Sequence, residues 1–526
     1  MTTEPTAFPL PGDAAVRRPQ PARPASLDMR LADEADTVAL AEDLAAILRP
    51  GDVVALSGDL GAGKTTLARA LLRALADDDG LEVPSPTYTL IQPYDLPRLK
   101  VAHLDLYRLA DEEEMDELGF DDLIAEGAVL VEWPERAGDR LPRSTLWLEL
   151  LPEPGGGARR AVLTVDGGGW ASRLARTLEA RGFLDEAGLP HASRRHRAGD
   201  ASARSFETVT AGRRSGILMN WPVRRDEVPV RDGRSYRQIA RIAETLPPFV
   251  AVAAALRGRG YSAPEIPAFD AGSGFLLMED LGRTGIADGE APVAECYRTA
   301  IDLLADFHSR PMPGPLPMAD GSLFVPPPYD ADAMAIEVSL LPAWYLPSLD
   351  APPPAADDLD WFGDLWRARF EAIATREQHW VLRDFHSPNL IWIEGREGLA
   401  RLGLIDLQDT VIGPAAYDVA SLVQDARVVV PDDLQAELLD RYIAARTAAG
   451  PGFDGEAFRA DFAVMAAQRA TKILGAFVRL DVRDGKPQYL RLLGRIRHYL
   501  RSSLSHPVLS DLQVWYETAG IFGPED

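Results

Sequence analysis

The stretch Asp52-Val53-Val54-Ala55-Leu56-Ser57-Gly58-Asp59-Leu60-Gly61-Ala62-Gly63-Lys64-Thr65-Thr66-Leu67-Ala68-Arg69-Ala70-Leu71-Leu72 decides the fold of the first third of the chain. It opens on a short apolar run suited to a buried strand and closes on a helix-forming run. Between them, Gly58 to Thr65 fits G-x-x-x-x-G-K-[ST], a loop whose backbone N–H groups cradle phosphate at a helix N-terminus. Strand, loop and helix in that order are the context this motif requires. Upstream, residues 31–50 read as an amphipathic helix stopped by Pro50-Gly51. Downstream, strand-like runs at Val101–Leu106, Val129–Glu132 and Leu146–Leu150 fit a small α/β domain.

A chain of 526 residues exceeds one domain, and at about 150 residues each it predicts three or four compact units. No stretch approaches the roughly 20 uninterrupted apolar residues of a membrane span. Residues 1–27 lack the apolar segment of a secretory signal and read, with their prolines, as a disordered leader. The lone Cys296 excludes an intramolecular disulfide and suits a reducing cytoplasm. A net charge of −25 argues against autonomous nucleic-acid binding. Lysine occurs only at 64, 100, 472 and 486, which adds weight to Lys64 standing inside a glycine loop.

In such a loop, Gly58, Gly61, Ala62, Gly63 and Thr66 line the phosphates, Lys64 reaches the β- and γ-phosphates, and the Thr65 hydroxyl binds Mg²⁺. An acidic residue must complete the metal shell. Asp105 and Glu132 both end strand-like runs, and each is also compatible with a solvent-facing terminal carboxylate. The ordered words Gly58–Thr66, Ser85-Pro86-Thr87-Tyr88-Thr89-Leu90, His103-Leu104-Asp105-Leu106-Tyr107-Arg108-Leu109 and Val131-Glu132-Trp133-Pro134-Glu135 resemble the TsaE family of ATPases, over residues 28–170. The resemblance implies an ATPase that serves N6-threonylcarbamoyladenosine formation at adenosine 37 of tRNA, together with TsaD-like and TsaB-like proteins. It implies Mg²⁺ contacts from Thr65 and Glu132, Thr87 beside the γ-phosphate, Asp105 assisting hydrolysis, and Thr37 near the adenine. Contact with tRNA would be indirect.

A second phosphate-handling signature lies far downstream. Leu382-Arg383-Asp384-Phe385-His386-Ser387-Pro388-Asn389 contains D-x-x-x-x-N, and Leu402-Gly403-Leu404-Ile405-Asp406 ends a strand-like run on an aspartate. In phosphoryl transfer to a hydroxyl, Asp384 can accept the proton while Asn389 and Asp406 bind Mg²⁺. A short hairpin fits between them, over Leu390–Ile405. The wider wording resembles the aminoglycoside phosphotransferase and choline kinase superfamily, and within it the anomeric N-acetylmuramate/N-acetylglucosamine kinases. The stretches that carry this are Gly199–Phe206, Gly274–Gly282, Gly403–Asp409, Gly413–Leu422 and Leu480–Pro487. The resemblance implies ATP contacts at Ser202 and Arg204, a hinge at Glu279 and Leu281 holding adenine, and an amino-sugar acceptor phosphorylated in cell-wall recycling.

Two departures stand out. The histidine usual before Arg-Asp is Leu382, and the phosphate-binding lysine of the third strand is absent, with Arg204 the candidate replacement. Glu337 and Trp344 lie in a segment that resembles the variable substrate region of these kinases, and with His386 and Gln408 they are the candidate acceptor contacts. Trp344 equally suits core packing, and His386 equally suits support of its own loop. Gln468, Arg469 and Lys472 share one side of a late helix that lines the sugar pocket or forms a surface salt-bridge face.

The expected architecture is thus an α/β P-loop NTPase domain, residues 28–184, followed by a two-lobed α+β protein-kinase-like domain, residues 185–526. Residues 152–169, rich in Gly and Pro, and 192–204, rich in Arg, Ser and Gly, read as loops, and the boundary falls between them, at about 170 to 195. The expectation is a cytoplasmic bifunctional enzyme using ATP and Mg²⁺, without membrane contact. The alternatives for the second half are an aminoglycoside or choline type of kinase, or a regulatory pseudokinase.

Overall fold

The computed structural model describes residues 25–109, 113–155, 157–167, 169–197, 204–222, 228–349 and 352–522. They form two compact units. The first runs through Arg197 and takes in 206–214; the second comprises 204–205 and everything from Ser215 onward.

The first unit is built on a seven-stranded sheet. Its strands are β1 (Ala25–Leu31), β2 (Val53–Ser57), β3 (Ile91–Asp95), β4 (Lys100–Asp105), β5 (Ala128–Glu132), β6 (Leu146–Pro152) and β7 (Arg159–Val165). Their order is β1-β7-β6-β2-β5-β4-β3. The four central strands β6, β2, β5 and β4 are parallel, and antiparallel partners flank them on both sides. Strand alternation divides the core between the two faces. Val54, Leu56 and Leu130 point into the layer made by helices Glu34–Ile47 and Lys64–Ala76, while Val53, Val129 and Val131 meet Leu104, Phe120 and Met115 on the other side. Up to their last residues, Ser57 and Glu132, β2 and β5 are apolar because both their faces are covered. The parallel strands carry their C-terminal ends, and with them Gly58, Asp105 and Glu132, to one edge.

Three expectations are corrected here. The leader does not reach 27, since β1 begins at Ala25. The Gly/Pro-rich residues 152–169 contain β7, whose buried Ala161, Leu163 and Val165 alternate between more exposed neighbours. The Arg-rich residues 192–204 contain β8 (Ser193–Arg197), which pairs antiparallel with β9 (Ser205–Ala211). Its arginines meet carboxylates far away in sequence. Arg194 is buried between Asp43 (2.6 Å) and Glu207 (2.6 Å). Arg195 pairs with Glu42 and, at 2.7 Å, with Asp79. Local composition carries no trace of such partners.

In the second unit, β10 (Arg214–Asn220) pairs antiparallel with the strand Phe275–Met278, which also pairs with Ala268–Asp270. The rest is mostly helical. The 30-residue helix Gly455–Asp484 packs against Leu493–Leu504 and Ala416–Val423. Gly475 permits the close approach of a neighbouring segment, for a Cβ there would meet the Leu340 carbonyl. Two short ladders, His379–Val381 with Val411–Gly413 and Leu390–Trp392 with Leu402–Leu404, hold the loop 382–389 between them. Among the described residues no helix is long and apolar enough to cross a membrane.

Candidate functional sites

In the first unit, the chain leaves β2 into the glycine loop and re-enters a helix at Lys64, with Gly58, Gly61 and Gly63 all at positive φ. Lys64 is buried, and its ammonium donates to the Gly58 (2.7 Å) and Asp59 (3.1 Å) carbonyls. The Trp133 ring lies beneath it, with its centroid 3.7 Å away. Burial pushes the Lys64 pKa below the ordinary lysine value, against the pull of Glu132, Glu135, Asp105 and Asp59. Polyphosphate oxygens would supply the missing anionic partners.

The Thr65 hydroxyl donates to Glu132 Oε2 at 2.8 Å, and His103 Nε2 stands 3.0 Å from Glu132 Oε1. Asp105 Oδ2 accepts from Ser85 (3.2 Å) and Thr87 (3.1 Å), while its Oδ1 accepts from the Tyr107 N–H (3.0 Å). The structure therefore brings Lys64, Thr65, Thr87, Asp105 and Glu132 together. Thr37 is fully buried and donates to the Asp33 carbonyl. The roles of His103, Ser85 and Trp133 were not legible in sequence, although all three stand inside the quoted words.

The donor set suits magnesium. Among the described residues no group of three or more His, Cys, Asp or Glu side chains could hold a metal by itself. Mg²⁺ usually takes one or two protein carboxylates and completes its shell with phosphate and water. A hydroxyl and a carboxylate in contact at a glycine loop answer that need.

In the second unit, the loop Leu382–Asn389 is fixed from behind by two buried aspartates. Asp418 accepts from the Leu382 (2.6 Å) and Arg383 (2.9 Å) N–H groups, and Asp425 accepts from the Ser387 N–H (2.7 Å). Asp418 thus secures the loop backbone at the very position where the usual histidine is replaced by Leu382. Burial raises the Asp418 pKa to about 7 against those hydrogen bonds. Arg383 and Asp406 adopt left-handed backbone conformations, φ 65° and 61°, strain of a kind that concentrates at functional sites.

Asp384 keeps 38 % of its side chain exposed. Its pKa is nonetheless raised to about 6, first by desolvation and then by the nearby Asp406 and Asp409. Asn389 uses its amide N–H₂ on the Asp384 carbonyl (3.0 Å), which leaves the amide oxygen for a cation. Arg204 Nη1 stands 2.7 Å from Asp406 Oδ1, and its guanidinium lies 5.3 Å from the Trp221 ring centroid. Asp409, unassigned from sequence, accepts from the Ala243 N–H (2.6 Å). The repulsion among Asp384, Asp406 and Asp409 is what a divalent cation would relieve. Ser202 lies outside the described residues.

The hinge and acceptor candidates separate. The Glu279 N–H donates to the Glu265 carbonyl (2.8 Å), and its carboxylate meets Arg257 (3.2 Å) and Arg396 (3.1 Å). Of the two expected hinge residues, Glu279 thus has its N–H engaged within the protein, and Leu281 is buried. His386 is buried and its pKa is held well below the usual histidine range, by burial and then by Arg427, Arg469 and Lys472. Its Nδ1 and the Gln408 Oε1 are buried atoms without a hydrogen-bond partner. Trp344 is half-buried in a single π-turn, Leu341–Tyr345.

Glu337 is a correction. It is fully buried, and its carboxylate is taken up by Arg383, Tyr329, Lys472 (2.7 Å) and Gln468 (2.9 Å). It holds Arg383, next to Asp384, instead of facing an acceptor. Gln468 and Arg469 are buried as well, so they form no surface salt-bridge face.

Known proteins also match the chain in two parts. Residues 31–161 match the family model described as threonylcarbamoyl adenosine biosynthesis protein TsaE. Residues 193–460 match the model of the phosphotransferase enzyme family. An N-acetylmuramate/N-acetylglucosamine kinase of Caulobacter vibrioides is 35% identical over 350 residues, 64% of this chain and 94% of that protein. The protein of the same description from Pseudomonas aeruginosa is 31% identical over 320 residues, 60% of this chain and 84% of its own. A tRNA threonylcarbamoyladenosine biosynthesis protein TsaE from Aquifex aeolicus is 41% identical over 123 residues, 23% of this chain and 86% of its own.

Proposed function

Since the chain belongs to the TsaE family in its N-terminal part and to the phosphotransferase enzyme family in its C-terminal part, we propose that it is a bifunctional enzyme with two separate ATP sites. The first is an ATPase supporting threonylcarbamoylation of tRNA adenosine 37. The second is a kinase acting on the anomeric hydroxyl of N-acetylmuramate or N-acetylglucosamine, a step of peptidoglycan recycling. The observation that supports this reading is that each unit brings its own candidate phosphate-transfer groups together: Lys64, Thr65, Asp105 and Glu132 in one, and Asp384, Asn389 and Asp406 in the other.

In the first site, Gly61 to Thr66 wrap the phosphates with backbone N–H groups, and Lys64 leaves its carbonyl partners for phosphate oxygens. Thr65 and Glu132 hold magnesium, with His103 orienting Glu132. Asp105, tied to Thr87, orients water toward the γ-phosphate. In the second site, Asp384 takes the proton of the anomeric hydroxyl as the new O–P bond forms and the bond from the γ-phosphorus to the β-phosphate oxygen breaks. Asn389 and Asp406 would hold magnesium, which would neutralise the phosphate charge. Arg204 approaches the phosphates from its place on Asp406.

The partners proposed for the ATPase are TsaD-like and TsaB-like proteins, with tRNA reached through them. The test combines two assays: ATP-dependent association with TsaD and TsaB in size-exclusion chromatography, and phosphorylation of N-acetylmuramate, N-acetylglucosamine, kanamycin and choline. Association together with amino-sugar phosphorylation is expected. Phosphorylation of kanamycin or choline alone, or of nothing, would refute the kinase assignment; lack of association would refute the tRNA role.

A further inference from the structure

Arg159 opens β7, outside the glycine loop, yet its guanidinium lies against it. A Cβ on Gly63 would sit 2.5 Å from Arg159 Nη1 and 3.2 Å from Cζ, so the guanidinium rests directly on this glycine. Gly63 has φ +107° and directly precedes the helix Lys64–Ala76. That helix presents its unsatisfied N–H groups at this end.

The guanidinium is half-buried and poorly satisfied. Its one hydrogen bond is a long one, 3.4 Å from Nη1 to the Thr37 hydroxyl. Among the described residues no carboxylate pairs with it. Several buried or half-buried arginines around this sheet are better satisfied: Arg173 pairs with Asp52, Arg181 with Asp43, and Arg194 with Asp43 and Glu207, while Arg98 donates to the Ala45, Ala46 and Leu48 carbonyls. A partly desolvated cation without an anion is costly. One set over a phosphate loop is placed to receive its anion from a ligand.

We infer that Arg159 is a nucleotide-binding residue of the first site, its guanidinium pairing with the polyphosphate of the nucleotide from the Gly63 end of the loop. Lys64 works from the other end, where its ammonium now rests on Gly58 and Asp59. The inference rests on the proposed ATPase reading of that loop and adds to it a cation supplied by β7, about a hundred residues beyond the motif.

The test is calorimetric titration of the full chain with Mg-ADP. Wild type should bind two nucleotides, and Lys64→Ala should bind one, which identifies the first site. Arg159→Met and Arg159→Gln should weaken that Lys64-dependent class at least tenfold without lowering the thermal midpoint of the free protein. Arg159→Lys should recover part of the affinity. Unchanged or tighter binding in both uncharged variants, with Lys64→Ala still losing its class, would overturn the role of Arg159 and leave the ATPase reading standing. Absence of any Lys64-dependent class in wild type would overturn both.

Discussion

Asp384 and Lys64 are charged groups whose environments penalise their charge, and both bear the proposed chemistry. For Asp384, partial burial beside Asp406 and Asp409 raises the pKa to about 6. A base must be ionised to accept a proton, so activity requires a pH above that value. We predict that kcat/KM of sugar phosphorylation, which reports the free enzyme, is flat above pH 7 and falls about tenfold per unit below about 6. A flat profile down to pH 5 would exclude Asp384 as the base. Much at this scale was legible: the spacing of Asp384, Asn389 and Asp406 was enough to choose them, and Lys64 follows from its motif. The supporting groups were not. His103 orients Glu132 from a neighbouring strand, and Asp418 holds Leu382 from a helix 36 residues on; sequence gives such residues an identity but not a partner.

The elements around the kinase loop depend on a buried ionic hub. Glu337, near the end of one helix, receives Lys472 and Gln468 from another and Arg383 from the loop itself. The cations Lys472 and Arg383 hold the Glu337 pKa down to about 2 against its burial. A carboxylate depressed in the folded state contributes stability that is present above its unfolded pKa near 4.5 and is lost as pH falls toward 2. Removing its charge leaves two buried cations uncompensated. Glu337→Gln should therefore cost about 3–5 kcal/mol in urea unfolding at neutral pH, with a smaller penalty in acid. A loss under 1 kcal/mol would show that the hub contributes little. Sequence reading set Glu337 at the acceptor because its segment, with Trp344, resembles the variable substrate region of the amino-sugar kinases. Its burial depends on Arg383 and Lys472, which come from elsewhere in the chain. β7 and β8 escaped for a related reason: glycines mask the alternation of the first, and arginines that look solvent-facing in the second are neutralised by Asp43, Glu42 and Glu207.

At the scale of the whole chain, family boundaries and structural units do not coincide. The phosphotransferase match begins at 193, yet β8 and residues 206–214 belong to the first compact unit. There Arg194 satisfies the buried Asp43, and Ser193 with the Arg194 N–H satisfies Glu42. A fragment 25–192, cut at the family boundary, loses those partners and leaves carboxylates exposed to a mismatch of charge and burial. We predict that it unfolds at a lower urea concentration than a fragment 25–214; equal midpoints would show that the hairpin is dispensable. The division into an α/β and a kinase-like half was readable from two motifs, whereas length alone suggested three or four units where two are found. A kinase-type unit exceeds the usual domain size, because its helices share one long central partner, Gly455–Asp484.

The central claim is that one chain runs two separable phosphate reactions. The most direct measurement is phosphorus NMR of the full chain with Mg-ATP and N-acetylmuramate, run in parallel for wild type, Asp384→Asn and Lys64→Ala. The account predicts a sugar 1-phosphate signal in wild type and Lys64→Ala, weakened by about 10²–10⁴-fold in Asp384→Asn. It also predicts that slow release of free phosphate disappears in Lys64→Ala and persists in Asp384→Asn. Loss of both signals in either variant, or no sugar phosphate in wild type, would contradict it.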